Sequence, residues 1–309
     1  MAWQRNDCKR RLSSLSISVL RAFTWLMDGW LLAVGQFVNA LPESEPVRGV
    51  AVLEDMLYVL RDKPSLQVEV YDVASSYCLQ RCLTVPNARC FIDMTSCEHY
   101  RCVYMSDPTA RCVHRLDVQN SVRKWPINNT PACLAVNVVH NLLVTCSDAQ
   151  TIKEYSASGN YLRNIPLPQG VVNPRHAVEL PSGGFILCHG SSSRNDPIHR
   201  VCMVSPDGHY VLHSHGGYRG SNSGQYNGPH HLAVAENGCV FVVDVFNRRV
   251  TLLSQTLSYI RQVVTRKELN RWPGRLCLDA ERCRLYVTDN EVKEGRTTSG
   301  RVVVFSVNT

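Results

Sequence analysis

Gly228-Pro229-His230-His231-Leu232-Ala233-Val234, then Glu236-Asn237-Gly238, then Val240-Phe241-Val242-Val243-Asp244, then Asn247-Arg248-Arg249-Val250-Thr251-Leu252-Leu253: this stretch decides the fold. Short apolar runs separated by Gly- and Asn-rich breaks describe antiparallel strands joined by tight turns, not helices. A further apolar run over 259–264 completes a unit of four strands.

The same frame recurs five more times. First strands end at Val52, Asp93, Val136, Val178, Val234 and Leu278, spaced by 41, 43, 42, 56 and 44 residues. Second strands are expected at 57–60, 102–105, 142–145, 185–188, 240–243 and 285–288. Asp follows closely in five of them (Asp62, Asp107, Asp148, Asp244, Asp289), while the fourth unit carries His189-Gly190. The extra length of that unit falls in Gly-, Ser- and Asn-rich segments, which read as surface loops. A period near 40 with four strands per unit predicts an all-β, six-bladed β-propeller of four-stranded blades over about 47–309.

The sixth unit stops after a third strand over 302–307, which would leave an unpaired edge and an open ring. Leu31-Leu32-Ala33-Val34-Gly35-Gln36-Phe37-Val38 stands just ahead of the first inner strand, where every other unit has its outer strand. It is expected to supply the missing strand, giving a closing strand over about 31–38, a propeller domain over 29–309 and an unassigned segment over 1–28. Lys9, Arg10 and Arg11 ahead of an apolar stretch also suit a signal peptide, with Val38-Asn39-Ala40 as a cleavage site. Arg21 and Asp28 interrupt the stretch, so no membrane span is expected.

A hydrophobic fraction of 44% and a charged fraction of 19% describe a globular chain and exclude disordered, collagenous and coiled-coil classes. Thirty-three Lys and Arg against 26 Asp and Glu leave a net charge of +7, which favours anionic partners without naming one. Several of the 14 cysteines, among them Cys102, Cys188, Cys202, Cys239 and Cys277, lie in or beside strand-like runs, as small buried hydrophobes do. Cys78/Cys82 and Cys97/Cys102 lack the spacing and the matching His pair of a zinc site. Free thiols in a reducing compartment, the cytoplasm, are the expectation.

The fifth unit resembles the NHL repeat through Pro229, Ala233-Val234, Gly238, Val240-Phe241-Val242, Asp244, Asn247 and Arg249-Val250. The likeness is partial in the third, fourth and sixth units and faint in the first two. It implies a six-bladed propeller, in agreement with the count above. It also implies similarity to the C-terminal recognition domain of tripartite-motif (TRIM-NHL) ubiquitin ligases, which bind proteins or structured RNA. The scattered cysteines form no RING or B-box array, so a ligase role would be that of a substrate-recognition part.

Asp244, Asn247 and Arg249 carry the repeat motif, and turn chemistry alone accounts for those residue types. The starts of the inner strands carry Arg48, Arg89, Arg175, His176, His230, His231 and Arg275, and the loops expected on that face add Arg61, Lys63, Arg111, Arg194, Arg200, Arg248, Lys293 and Arg296. A basic rim suited to carboxylate or phosphate is the predicted binding surface. Tyr218, Tyr226 and Phe246 are the candidate stacking platforms for RNA. Some related propellers hold zinc with inner-strand histidines, but no third ligand for His176, His230 and His231 is indicated, and no metal or cofactor is expected. No nucleophile elbow, phosphate loop or C-x-x-C is present. The reading is a monomeric, non-catalytic scaffold binding protein first and RNA second, with no DNA reader. A metal-dependent lyase or lactonase is the enzymatic alternative.

Overall fold

A computed structural model describes residues 35–62, 64–190, 198–269 and 271–307. All regular elements among them are strands. An N-terminal strand, β1 (Gln36–Ala40), precedes six consecutive groups. Blade 1 holds β2 (Val47–Leu53), β3 (Met56–Arg61), β4 (Gln67–Asp72) and β5 (Cys78–Thr84). Blade 2 holds β6 (Asp93–Cys97), β7 (Cys102–Asp107), β8 (Cys112–Asp117) and β9 (Val122–Pro126). Blade 3 holds β10 (Pro131–Val136), β11 (Leu142–Cys146), β12 (Thr151–Tyr155) and β13 (Tyr161–Pro166). Blade 4 holds β14 (Pro174–Glu179), β15 (Phe185–Gly190), β16 (Ile198–Val204) and β17 (Val211–Tyr218). Blade 5 holds β18 (Pro229–Val234), β19 (Val240–Asp244), β20 (Arg249–Leu253) and β21 (Tyr259–Val264). Blade 6 combines β22 (Trp272–Asp279), β23 (Arg284–Lys293) and β24 (Arg296–Ser306) with β1 as its outer strand. The architecture is the six-bladed, all-β propeller expected from the repeats.

Three boundaries differ from the sequence reading, one of them the third strand of blade 6, which begins at Arg296 and not at 302. The closing strand spans Gln36–Ala40, not 31–38, and residues 31–34 lie outside the described residues. The inner strand of blade 2 begins at Asp93 instead of ending there. Proline opens or nearly opens the inner strands at Pro131, Pro174, Pro229 and Pro273, but Ile92 stands at the matching place before Asp93, so the start is unmarked.

The apolar core is divided into clusters between neighbouring sheets. Ala51, Tyr58 and Leu60 of blade 1 pack on Met94, Val103 and Met105 of blade 2. Phe241 and Val243 of blade 5 pack on Leu276, Leu285 and Phe305 of blade 6. Val50 and Leu57 of blade 1 meet Tyr286, Val302 and Val304 of blade 6, so the last blade packs on the first. Each fully buried aliphatic side chain contributes about 1.5–3 kcal/mol, and no blade offers that burial by itself.

Closure rests on directed bonds as well. β1 pairs antiparallel with β24, and Leu41 N–H continues the pairing to Val302 O at 2.9 Å. The Asn290 amide accepts from Val47 N–H (2.8 Å) and donates to Val47 O (3.0 Å), acting as a rung between blades 6 and 1. Arg61 donates to Gly300 O and Glu45 O, each at 2.9 Å, while its Nε holds Glu69 at 2.8 Å. A Cβ on Gly300 would sit 2.1 Å from Asn290 Oδ1 and 2.8 Å from Val47 N, so only glycine fits this seam.

The repeat-motif residues of blade 5 do turn chemistry. Asp244, fully buried, accepts from Asn227 N–H (2.7 Å), Asn247 Nδ2 (2.7 Å) and Arg249 Nε (2.8 Å). Arg249 also donates to Ser221 O at 3.0 Å and Gln225 O at 2.5 Å, pinning the loop that arrives from blade 4.

Asn290→Ala is expected to leave both buried main-chain groups of Val47 unpaired. Denaturant unfolding should show a loss of about 2–6 kcal/mol, at 1–3 kcal/mol for each of the two unsatisfied groups.

Candidate functional site

A local irregularity at the start of the inner strands builds the channel. In blade 5 the pairing passes from Pro229↔Asp244 to His231↔Val243, so His230 is bulged out of register. The same shift frees Arg48 in blade 1, Ala132 in blade 3 and Arg175 in blade 4. A bulge re-aims consecutive side chains, and here it separates two layers around the axis. Arg48, Ile92, Ala132, Arg175, His230 and Gly274 form the outer layer and line a cavity of about 770 Å³. The residues that follow them are Gly49, Asp93, Cys133, His176, His231 and Arg275. All six are buried and plug the channel below.

Asp93 is the hub of the plug. Its carboxylate accepts from Arg275 Nε at 2.6 Å and Leu134 N–H at 2.7 Å, and lies 3.5 Å from His231 Nε2. Arg275 also donates to Gly274 O (3.0 Å), Ile92 O and His230 Nδ1 (2.7 Å). Burial raises the Asp93 carboxyl, but the Arg275 charge and His231 outweigh it and hold the group well below the usual carboxylate range. His176 donates through Nε2 to Leu134 O (3.1 Å) and accepts at Nδ1 from Leu232 N–H (3.4 Å), which fixes one neutral tautomer. Burial, reinforced by His231, drives its pKa down to about 3. Burial likewise lowers His231 against the pull of Asp93, and lowers His230 well below the ordinary value, with Arg275 and Arg175 adding to it.

Asp93, His176 and His231 bring three ligand-type atoms within 4.8 Å of one another, so the third group that the sequence did not indicate comes from blade 2. They are ill-disposed to hold a metal. The two rings are stacked at 3.8 Å with 14° between their planes, and near-parallel rings cannot both aim an in-plane lone pair at one ion. Both nitrogens of His176 are committed to main chain, and the Arg275 cation already occupies Asp93.

The predicted basic residues therefore divide. Arg48, Arg175 and His230 line the mouth; His176 and His231 lie buried in the plug, and Arg275 joins plug to mouth. Arg248 stands at the rim with its guanidinium 5.6 Å from the Trp272 ring centroid. Arg89 is exposed ahead of β6, outside the cavity lining. Arg61 is not on the rim: it is fully buried against Glu69. Lys63 and Arg194 lie outside the described residues. Asp62 holds Arg48 at 2.5 Å. Arg175 is half-buried and has no ion-pair or hydrogen-bond partner among the described residues. Sequence reasoning missed Asp93, hidden by the misplaced strand, and Trp272. Trp272 meets Phe246 edge-to-face at 5.0 Å, and both line the cavity.

No protein-family model and no curated protein sequence matches the chain. Solved structures do. Virginiamycin B lyase from Staphylococcus aureus is similar over 88% of this chain and 99% of its own, with TM-score 0.60 and 9% identity. A streptogramin B lyase is similar over 88% and 96%, with TM-score 0.58 and 9% identity. A protein of unknown function from Bacteroides caccae is similar over 75% and 85%, with TM-score 0.55 and 11% identity. At these identities the likeness establishes the propeller fold. Among the described residues no helix is long and apolar enough to cross a membrane.

The buried histidines set a pH dependence. His176 and His189, lowered to about 3 and about 4 chiefly by burial, stay neutral in the fold but protonate near pH 6.5 once unfolded. The unfolded chain then binds more protons below that pH, so stability falls as pH falls. At pH 5 the loss is about 2 kcal/mol for each such histidine. Thermal melts should show a lower Tm at pH 5 than at pH 7.5, with a shallower dependence in His176→Asn.

Proposed function

We propose that the chain is a non-catalytic recognition propeller of the NHL type whose channel mouth binds an acidic segment of a protein partner. The observation that carries this reading is Arg175. Arg48 and Arg275 are held by Asp62 and Asp93, whereas Arg175 faces the cavity without a partner among the described residues. The cavity lining contains no carboxylate of its own. A guanidinium in that setting favours a bidentate carboxylate, and Phe246 and Trp272 supply apolar contact beside it.

RNA fits less well. Of the three expected stacking platforms, Tyr226 is buried, with its hydroxyl 3.4 Å from Thr251 Oγ1. Phe246 is turned edge-to-face to Trp272, and Arg248 lies over the Trp272 ring. Only Tyr218 stands well clear, at 73% exposure. Ordered stacking of successive bases needs more open ring faces than this.

The test is titration of the purified chain with acidic peptides carrying an adjacent aromatic residue, read by tryptophan fluorescence, beside a single-stranded RNA pool read by anisotropy. Peptide binding should weaken at least about tenfold in Arg175→Ala, the size of one charge-assisted bond. Arg89→Ala should leave it unchanged. RNA binding that falls steeply with salt and is lost in Arg175→Ala would overturn the protein reading in favour of a phosphate-reading mouth.

A further inference from the structure

The corner between the second and third strands of a blade has one recurring slot. In blade 5 the register sets Asp244 opposite Arg249, and in blade 6 it sets Asp289 opposite Arg301. Each pair is an ion pair, at 2.8 and 3.0 Å, with the carboxylate fully buried. Blade 1 carries the base on its second strand, where Arg61 reaches diagonally to Glu69, the residue opposite Val59, at 2.8 Å. Blade 2 keeps the acid and lacks the base: Asp107 stands opposite Cys112.

Asp107 is fully buried. Its oxygens accept from Arg89 N–H (2.7 Å) and Ala110 N–H (2.9 Å), and no Lys or Arg side chain pairs with it among the described residues. In place of a guanidinium, Cys112 Sγ lies 3.3 Å from His114 Nε2, and that nitrogen lies 3.7 Å from Asp107 Oδ2. Both side chains extend from the same face of β8, two residues apart. All three residues are buried, and their ligand atoms lie within 4.8 Å of one another.

From this geometry we infer that Asp107, Cys112 and His114 form a binding site for a divalent transition-metal ion, zinc by its chemistry. Bond lengths of about 2.3 Å to sulfur and 2.0–2.2 Å to nitrogen and oxygen place tetrahedral donors roughly 3.3–3.6 Å apart, close to the two separations here. Thiolate, imidazole and carboxylate together suit zinc, with a fourth position left for water or the second carboxylate oxygen. On binding, the Cys112 thiol gives its proton to solvent. One thiolate, one carboxylate and a 2+ ion then sum to zero, the same net charge as the Asp–Arg pairs of blades 5 and 6.

A protonated imidazole is a poor substitute for the missing cation, because burial lowers His114 more than Asp107 raises it. A nucleophile–base–acid triad does not fit either. Cys112 and Asp107 both face Nε2, whereas a triad needs thiol and carboxylate on opposite ring nitrogens.

Zinc content of the purified full chain, dialysed against micromolar free zinc, tests the site, with cobalt substitution to reveal a thiolate charge-transfer band. About one ion per chain is expected, with a band that disappears in Cys112→Ser and in His114→Gln but survives in Cys202→Ser. Cys112→Arg, which restores the pairing of blades 5 and 6, should fold without metal and show a Tm indifferent to a chelator that lowers the Tm of the parent. A folded parent chain that retains no zinc, or a cobalt band that persists in both Cys112→Ser and His114→Gln, would overturn the assignment.

Discussion

Every blade presents two apolar faces, and each can be buried only against another blade. That constraint shapes the rest of the molecule. The core is consequently spread around a ring, with blade 6 packed on blade 1. A ring of sheets is only as sound as its seam, and here the seam joins residues far apart in sequence. β1 pairs with β24, Asn290 completes the hydrogen bonding of Val47, and Arg61 reaches Gly300. Gly300 has no side chain because the Asn290 amide fills that space.

With the ring closed, the inner strands converge on the axis and their charges must be reconciled. In blades 1, 3, 4 and 5 a bulge at the strand start sends one residue to the mouth and the next into the plug. Groups that look alike in sequence acquire different physics one residue apart. His230 touches the cavity, while His231 is stacked on His176 below it. Arg175 faces the cavity, while Arg275 neutralises a buried aspartate. Much of the positive charge therefore works internally, and the basic surface left at the mouth is narrower than a count of basic residues implies.

The corner slot shows the same demand for neutrality met by different means. Two blades use an acid and an arginine in one order, blade 1 carries the arginine on its second strand and reaches an acid diagonally, and blade 2 sets a thiol and an imidazole beside a carboxylate. The equivalent slot holds Cys146 opposite Thr151 in blade 3 and His189 opposite Arg200 in blade 4. Asp62 and Asp148, grouped in sequence with Asp107, Asp244 and Asp289, do not occupy it. Asp62 holds Arg48, and Asp148 caps Thr130 N–H at 3.0 Å.

Periodicity was enough to specify strand type, blade number and the need for a closing strand, because alternation and turn residues are local and a fourfold unit leaves a countable remainder. The second strands were legible for that reason. The start of β6 was not, since no proline marks it and its register depends on pairing with β7. Basic residues near the inner-strand starts were visible as a set. Their separation into mouth and plug was not, because it follows from a one-residue bulge and from partners such as Asp93 in other blades. The Cys112–His114–Asp107 cluster escaped spacing rules for a related reason: its carboxylate comes from a neighbouring strand. Sequence by itself determined the propeller, since backbone pairing and burial repeat along the chain. Tertiary structure decided which charges stand at the cavity and which are neutralised, since a charge is neutralised by whatever the closed ring brings within a few ångströms of it.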